Sequence, residues 1–261
     1  MKISVIGAGA MGGSLVEGLL KGETCHAADI TVADPYLPKL DHFAQAGASV
    51  TTDNKAAAID ADIVTVVVKP WLVEGVLKDI KEVLNYKRQL LIVIAAGVSS
   101  ASTKEWLDKD GKVLPFFLVI PNIAIACKAS MTFIVPVGAS PDETKSITDI
   151  FDELGGSLVT EERLLAAGTT LASCGIAYAM RYVRASVEGG VELGFKAKDA
   201  QQIVLQTVKG AVELLQGNGM HPEAAIDLVT TPGGVTIKGL NEMEHAGFTS
   251  SVIRGLKAGL K

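Results

Sequence analysis

Cysteine is scarce in this chain. Cys25, Cys127 and Cys174 are three in 261 residues, an odd number with no C-x-x-C pair. That pattern excludes a disulfide framework and fits unpaired thiols in a reducing compartment. Positive charge is also short, with 24 Lys and Arg against 29 Asp and Glu and a net charge of −5. No basic surface for nucleic acid or an anionic membrane is expected, so an anionic ligand must be held by backbone donors and a few local cations. The four histidines (His26, His42, His221, His245) are scattered without an H-x-x-x-H spacing, and no metal site is expected. No G-x-S-x-G elbow is present, which disfavours a hydrolase triad. No uncharged apolar run reaches the roughly 18 residues of a membrane span. No basic leader precedes the first strand, and the expected location is the cytoplasm. Repeats and low-complexity tracts are missing as well.

What is there describes a globular protein with ample core: 48% hydrophobic and 20% charged residues, long enough for two domains. Ile3 to Ile6 reads as a short buried strand, followed by Gly7, Gly9 and Gly12 in a G-x-G-x-x-G spacing and an apolar-periodic helix through Leu15, Val16, Leu19 and Leu20. In a dinucleotide site each glycine has its own task. Gly7 makes the tight turn, Gly9 lets backbone approach a pyrophosphate, and Gly12 lets helix pack on strand. The helix N-terminus then offers unpaired N–H groups to the phosphates. A glycine-rich turn without a ligand is the plainer alternative.

Asp29 to Asp34 reads as a second strand ending in an acid about 20 residues past that loop, where a carboxylate can accept hydrogen bonds from ribose hydroxyls. An acid there repels a 2′-phosphate and leans towards NADH over NADPH, and no arginine follows at once to reverse it. Asp62 to Val68 is the clearest strand, mostly β-branched and ended by Lys69-Pro70. Lys69 then points at the crevice where open α/β sheets bind ligands, unless it is a surface lysine. Further strands are expected at Leu90–Ile94, ended by Ala95-Ala-Gly97, and at 112–119, 130–137 and 157–159. Helices are expected at 71–83 and 141–154. This alternation predicts an α/β fold, a Rossmann-type doubly wound parallel sheet with later strands appended, over residues 1–159.

From Glu161 the pattern turns helical, with Gly194 closing one long helix, a second over 198–215, a third from His221-Pro222 and two short ones after Thr230. Residues 160–261 are therefore expected to form an all-α domain that dimerises to bury its amphipathic faces. Between its helices, Thr231-Pro-Gly-Gly-Val-Thr236 could hold a carboxylate on backbone N–H groups with Thr236 adding a hydroxyl, or could be a plain turn with a threonine helix start.

Gly7-Ala-Gly-Ala-Met-Gly12, Asn54-Lys55, Val68-Lys-Pro70, Ala96-Gly97, Pro121-Asn122, Gly175-x-Ala177-Tyr178, His221-Pro222 and Pro232-Gly-Gly-x-Thr236-Ile237 together resemble the pyrroline-5-carboxylate reductase family, over nearly the whole chain. The last stretch is the most specific, because it lies outside the generic dinucleotide fold. The resemblance implies an N-terminal Rossmann domain, a helical domain that interlocks with a partner's, and hydride transfer from NADPH or NADH to the imine carbon of a cyclic imino acid. It implies that Thr236 hydrogen-bonds the imine nitrogen, and that Thr231, Gly233, Gly234, Val235 and Thr236 hold the substrate. Cofactor contacts would come from Gly7, Gly9, Ala10, Met11, Gly12, Asp34, Asn54, Val68, Lys69, Pro70, Ala96, Gly97 and Asn122. The chain departs from the family pattern at Ala172 to Ile176, at Leu118, at Ile123 and Ala124, and at Val235. Two other readings stay open here: a related imine or hydroxy-acid oxidoreductase, and a nucleotide-binding paralogue without turnover. The stretch Thr170 to Gly194 carries Arg181 and Arg184 but no lysine, against the hydroxy-acid reading.

Overall fold

The computed structural model describes residues 1–260. It divides into two compact units, Met1–Ser173 and Cys174 onward. In the first, strand and helix alternate: β1 (Ile3–Ile6), α1 (Ala10–Leu20), β2 (Ile30–Ala33), α2 (Asp41–Gln45), β3 (Ser49–Thr51), α3 (Asn54–Ile59), β4 (Ile63–Val66), α4 (Pro70–Ile80), β5 (Leu90–Val93), α5 (Ser100–Leu107), β6 (Phe116–Ile120), β7 (Ser130–Val137), α6 (Pro141–Glu153) and β8 (Gly155–Val159). They build one eight-stranded sheet in the order β3-β2-β1-β4-β5-β6-β7-β8.

β1, β4 and β6 are buried along their full length, as strands covered on both faces must be. Alternate residues feed two cores. Ile3 and Val5 join Leu15, Val16 and Leu19 of α1 and Ile147, Ile150 and Phe151 of α6. Ile6, Val64 and Val66 join Ala57 and Ala58 of α3, Val73 and Leu77 of α4, and Leu107 of α5. The chain leaves β1 for β2 on one side and returns to β4 on the other, with Ile6 paired in parallel to both Ala33 and Val66. Gly7 therefore emerges at the point where strand order reverses, the usual ligand position in such sheets.

The strands appended after β5 are present as expected, and β7 runs antiparallel to β6. Only residues 121–129 join them, with a 3₁₀ turn at Ile123–Cys127. That is too short for a parallel crossover, which needs a dozen residues or more. β6 starts at Phe116 rather than Lys112. Asp110 and Gly111 both have positive φ and fold Lys109 back against Lys112, and Pro115 has no N–H for the ladder. α3 and α5 are additions to the expected elements. Both are short, and their signal is a cap instead of a periodicity: Asp53 accepts from the N–H groups of Lys55 and Ala56, and Ser99 from that of Ser102.

After β8 the expected long helix is present, with a π-helical turn within it. A 3₁₀ turn (Glu162–Leu164), α7 (Leu165–Gly168) and a π-helical turn (Thr169–Cys174) precede α8 (Gly175–Glu192). Gly168 is pressed onto the Phe133 ring, with 2.9 Å from an added Cβ to the nearest ring atoms. The side-chain amide of Asn122 reaches the Ala172 carbonyl in the wide turn at 3.5 Å. That turn contains most of the stretch that departs from the family pattern.

The second unit holds α8, α9 (Ala197–Asn218), α10 (Pro222–Leu228), α11 (Val235–His245) and α12 (Phe248–Ala258). α8 and α9 approach closely where Gly190 faces Ala200, an added Cβ falling 2.9 Å from that of Ala200. Tyr182 of α8 meets Phe248 of α12 edge to face, ring centroids 6.4 Å apart. Ala200 is the one buried residue of this unit among those described.

Candidate functional site

The three glycines of the first loop answer to different constraints. Gly7 has φ +107°, and a Cβ there would lie 2.2 Å from the Val67 carbonyl oxygen. At Gly12 a Cβ would lie 1.8 Å from the Gly7 carbonyl oxygen. Both positions are closed by the protein itself. Gly9 differs: it is exposed, its φ and ψ (−72°, −170°) suit any residue, and a Cβ there meets no atom within 4 Å. The protein does not need a glycine at 9, whereas a ligand approaching the backbone there does.

Gly9 is the N-cap of α1 and no side chain caps that helix. The N–H of Gly13 returns to the Gly9 carbonyl at 2.7 Å, while the first-turn amides of Ala10, Met11 and Gly12 lie in the part of a helix that has no intrahelical acceptor. Exposed Gly9 and Ala10 and half-buried Met11 present them outward. This arrangement fits a pyrophosphate.

Asp34, at the end of β2, is only 6% exposed. Its Oδ2 accepts from the Ala8 N–H at 2.9 Å and its Oδ1 from the Tyr36 N–H at 3.0 Å. The carboxylate thus ties the glycine loop to the end of the second strand. Lys39 stands with Nζ 3.6 Å from Oδ1. It was missed in the sequence, because a 3₁₀ turn (Leu37–Lys39) folds it back towards an acid five positions earlier.

On the other side of Gly7, Val68 packs close enough that an added Gly7 Cβ would lie 2.9 Å from its Cγ1. Lys69 is exposed and forms the N-cap of α4, with Pro70 in the first turn. Ala96 and Gly97 are exposed after β5, and Gly97 has φ +79° with open space where a Cβ would be. Half-buried Asn54 opens α3 beyond β3. Asn122 is different. It is 7% exposed, its N–H donates to Ser130 Oγ at 3.1 Å, its Oδ1 accepts from the Ala124 N–H at 3.0 Å, and its Nδ2 donates to Ala172. Its side chain is committed to holding the 3₁₀ and π-helical turns. Leu118, one of the positions that depart from the family pattern, is buried in β6 against Val93 and Val135, a position that a charge would not fit unpaired.

In the second unit, Thr231 to Gly234 forms a turn closed by the Gly234 N–H on the Thr231 carbonyl at 3.0 Å, with Gly233 at φ +68°. Proline before a positive-φ glycine is the turn chemistry this requires. Thr231 Oγ1 lies against Gly234, 2.5 Å from an added Cβ. Gly234 then caps α11 without a side chain, and exposed Val235 and Thr236 occupy its first turn. Among the described residues the Thr236 hydroxyl has no hydrogen-bond partner, so it and the Val235 and Thr236 amides are available to a small anion.

Residues 162–261 match the pyrroline-5-carboxylate reductase dimerisation family, and residues 2–97 match the family of coenzyme F420-dependent NADP oxidoreductases. Pyrroline-5-carboxylate reductase 1 of Dictyostelium discoideum is 36% identical over 97% of the chain, which spans 48% of that protein's length. The pyrroline-5-carboxylate reductase of Methanosarcina acetivorans is 35% identical over 97% of this chain and 94% of its own. Among solved structures, that of a pyrroline-5-carboxylate reductase from Coxiella burnetii superposes with a TM-score of 0.88 at 27% identity, covering 99% of this chain and 96% of that one.

Proposed function

The chain belongs to the pyrroline-5-carboxylate reductase family, and from that premise we propose that it reduces 1-pyrroline-5-carboxylate to L-proline with NADPH or NADH. The observation that carries this reading is the Thr231–Thr236 turn. It offers unpaired amides and a hydroxyl unpaired among the described residues at a helix start, and it lies outside the dinucleotide fold that many oxidoreductases share.

When bound, the reduced nicotinamide supplies a hydride to C5 of the pyrroline ring. The glycine loop and the α1 N-terminus hold the pyrophosphate, and Asp34, Asn54, Val68, Lys69, Pro70, Ala96 and Gly97 line the rest of the cofactor. Asn122 acts behind this wall as a positioning residue. The amides of Gly233, Val235 and Thr236, with Thr231, take the substrate carboxylate, while the Gly234 amide closes the turn. The Thr236 hydroxyl donates to the ring nitrogen, which gains electron density as C5 is reduced and ends protonated as the proline amine. A donor placed there favours the transition state over the ground state. Residues 1–159 act as the dinucleotide domain and 160–261 as the substrate and dimerisation domain.

The exposure of the second unit's helices supports a homodimer. Among its described residues Ala200 alone is buried, with Leu193, Leu214 and Leu228 at 83%, 62% and 71% exposure, and a second copy would cover these helices. The three unpaired cysteines support a cytoplasmic setting.

The test uses the purified full chain with each reduced cofactor and 1-pyrroline-5-carboxylate, following nicotinamide absorbance and the appearance of proline. Oxidation with at least one cofactor is expected. Cofactor binding without any oxidation would overturn the reading in favour of a paralogue without turnover.

A further inference from the structure

We propose that Lys39 determines whether this chain accepts NADPH beside NADH, by serving as the cation for the adenosine 2′-phosphate. In a doubly wound sheet the acid ending the second strand meets the adenosine ribose. Its charge repels a 2′-phosphate unless a cation accompanies it. Asp34 taken alone predicts NADH. The structure adds two facts that alter the balance.

The first is that the Asp34 carboxylate is already compensated. Oδ2 is held by the Ala8 amide at 2.9 Å, Oδ1 by the Tyr36 amide at 3.0 Å, and the Lys39 ammonium stands 3.6 Å from Oδ1. Two N–H dipoles and a cation offset one negative charge, so the ribose end of the site is close to neutral. An incoming phosphate meets far less repulsion than a bare aspartate would impose.

The second is that Lys39 has a fixed base and a free head. Its backbone is locked in a 3₁₀ turn between Pro35 and fully buried Leu40, with the Leu40 N–H on the Leu37 carbonyl at 2.7 Å and the Lys39 N–H on the Tyr36 carbonyl at 3.1 Å. Its side chain is 47% exposed, and 3.6 Å from Asp34 is too long for a hydrogen bond. The Asp34 carboxylate is nearly buried but already held by two amides, and the half-exposed ammonium makes no hydrogen bond to it, so that head can turn to a phosphate at small cost. Charge-assisted hydrogen bonds to phosphate oxygens are the stronger contact. The exposed Tyr36 ring, its centroid 6.0 Å from the same ammonium, provides a flat surface beside that point. Lys55, at the start of α3, is paired with Asp79 at 3.0 Å.

With NADH, Lys39 remains beside Asp34, whose Oδ1 can still accept a ribose hydroxyl. With NADPH, Lys39 turns to the 2′-phosphate and the two amides alone hold the carboxylate. The inference rests on the dinucleotide reading of the glycine loop and not on the identity of the imine.

The experiment measures dissociation constants of NADH and NADPH by calorimetry, without substrate, for the full chain and for Lys39→Gln and Lys39→Arg. Lys39→Gln is expected to weaken NADPH about tenfold or more while changing NADH less than about threefold, the loss of one hydrogen bond to a charged group. Lys39→Arg should retain NADPH binding. The NADPH affinity of the unaltered chain should also fall more steeply with added salt than that of Lys39→Gln. Equal weakening of both cofactors would make Lys39 a support for Asp34 only and overturn the assignment, as would no change in either. An unaltered chain that binds neither cofactor would overturn the dinucleotide reading, and the Lys39 assignment with it.

Discussion

Gly9→Ala should leave the fold intact and disable the cofactor site, whereas Gly12→Ala should disrupt the loop itself. The reason is the space beside each. An alanine Cβ at 9 meets no protein atom within 4 Å, and the backbone there already has angles that alanine adopts freely. The thermal midpoint of Gly9→Ala should stay within about 2 °C of the parent. Dinucleotide affinity should nonetheless fall about 10–100-fold, because the methyl group stands where the pyrophosphate must reach the backbone. At 12 the methyl would lie 1.8 Å from the Gly7 carbonyl oxygen, and the loop or α1 must shift to admit it. A loss of about 1–3 kcal/mol, or roughly 3–10 °C in a chain of this size, is expected. Thermal unfolding and calorimetric titration with NADH read both variants. A Gly9→Ala protein that binds the dinucleotide as tightly as the parent would remove the ligand explanation for that glycine.

Thr236→Val is expected to lower kcat/KM for 1-pyrroline-5-carboxylate about 10–100-fold, the order for one lost hydrogen bond beside developing charge. Stability and cofactor affinity should not change. The side chain is exposed in the first turn of α11 and its hydroxyl bonds to none of the described residues, so its removal breaks no hydrogen bond among them. Thr236→Ser keeps the hydroxyl and should retain most of the activity. A valine variant as fast as the parent would reduce Thr236 to an ordinary residue at a helix start.

Much of the fold was legible along the chain. Strands buried on both faces must be apolar at every position, so Ile3 to Ile6 and Ile63 to Val66 stand out without any partner being known. The helices that went unread, α3 and α5, are 6 and 8 residues long, too brief for a periodic stripe. They were signalled only by Asp53 and Ser99 as caps. The long helix closed by Gly194 was legible, but the π-helical turn within it was not. The helix's apolar spacing is real, but Gly168 against Phe133 and the Asn122 amide on Ala172 accompany a wide turn that periodicity does not describe.

The same division runs through the site. The sequence alone determined that a strand, a glycine loop and a helix follow one another at the start of the chain, that an acid ends the second strand, and that a proline–glycine–glycine turn precedes a threonine in the helical half. Each of these is a relation between near neighbours, carried by local spacing. Only the tertiary structure showed the space beside those glycines, where a Cβ at 12 collides with the Gly7 carbonyl and one at 9 meets nothing. It alone also showed that Asp34 holds the Ala8 amide and that Lys39 shares its charge. Those relations join residues 26 and 5 positions apart, and they exist because the parallel register of β1 and β2 brings Ile6 beside Ala33 and a proline-flanked turn folds back over the strand end.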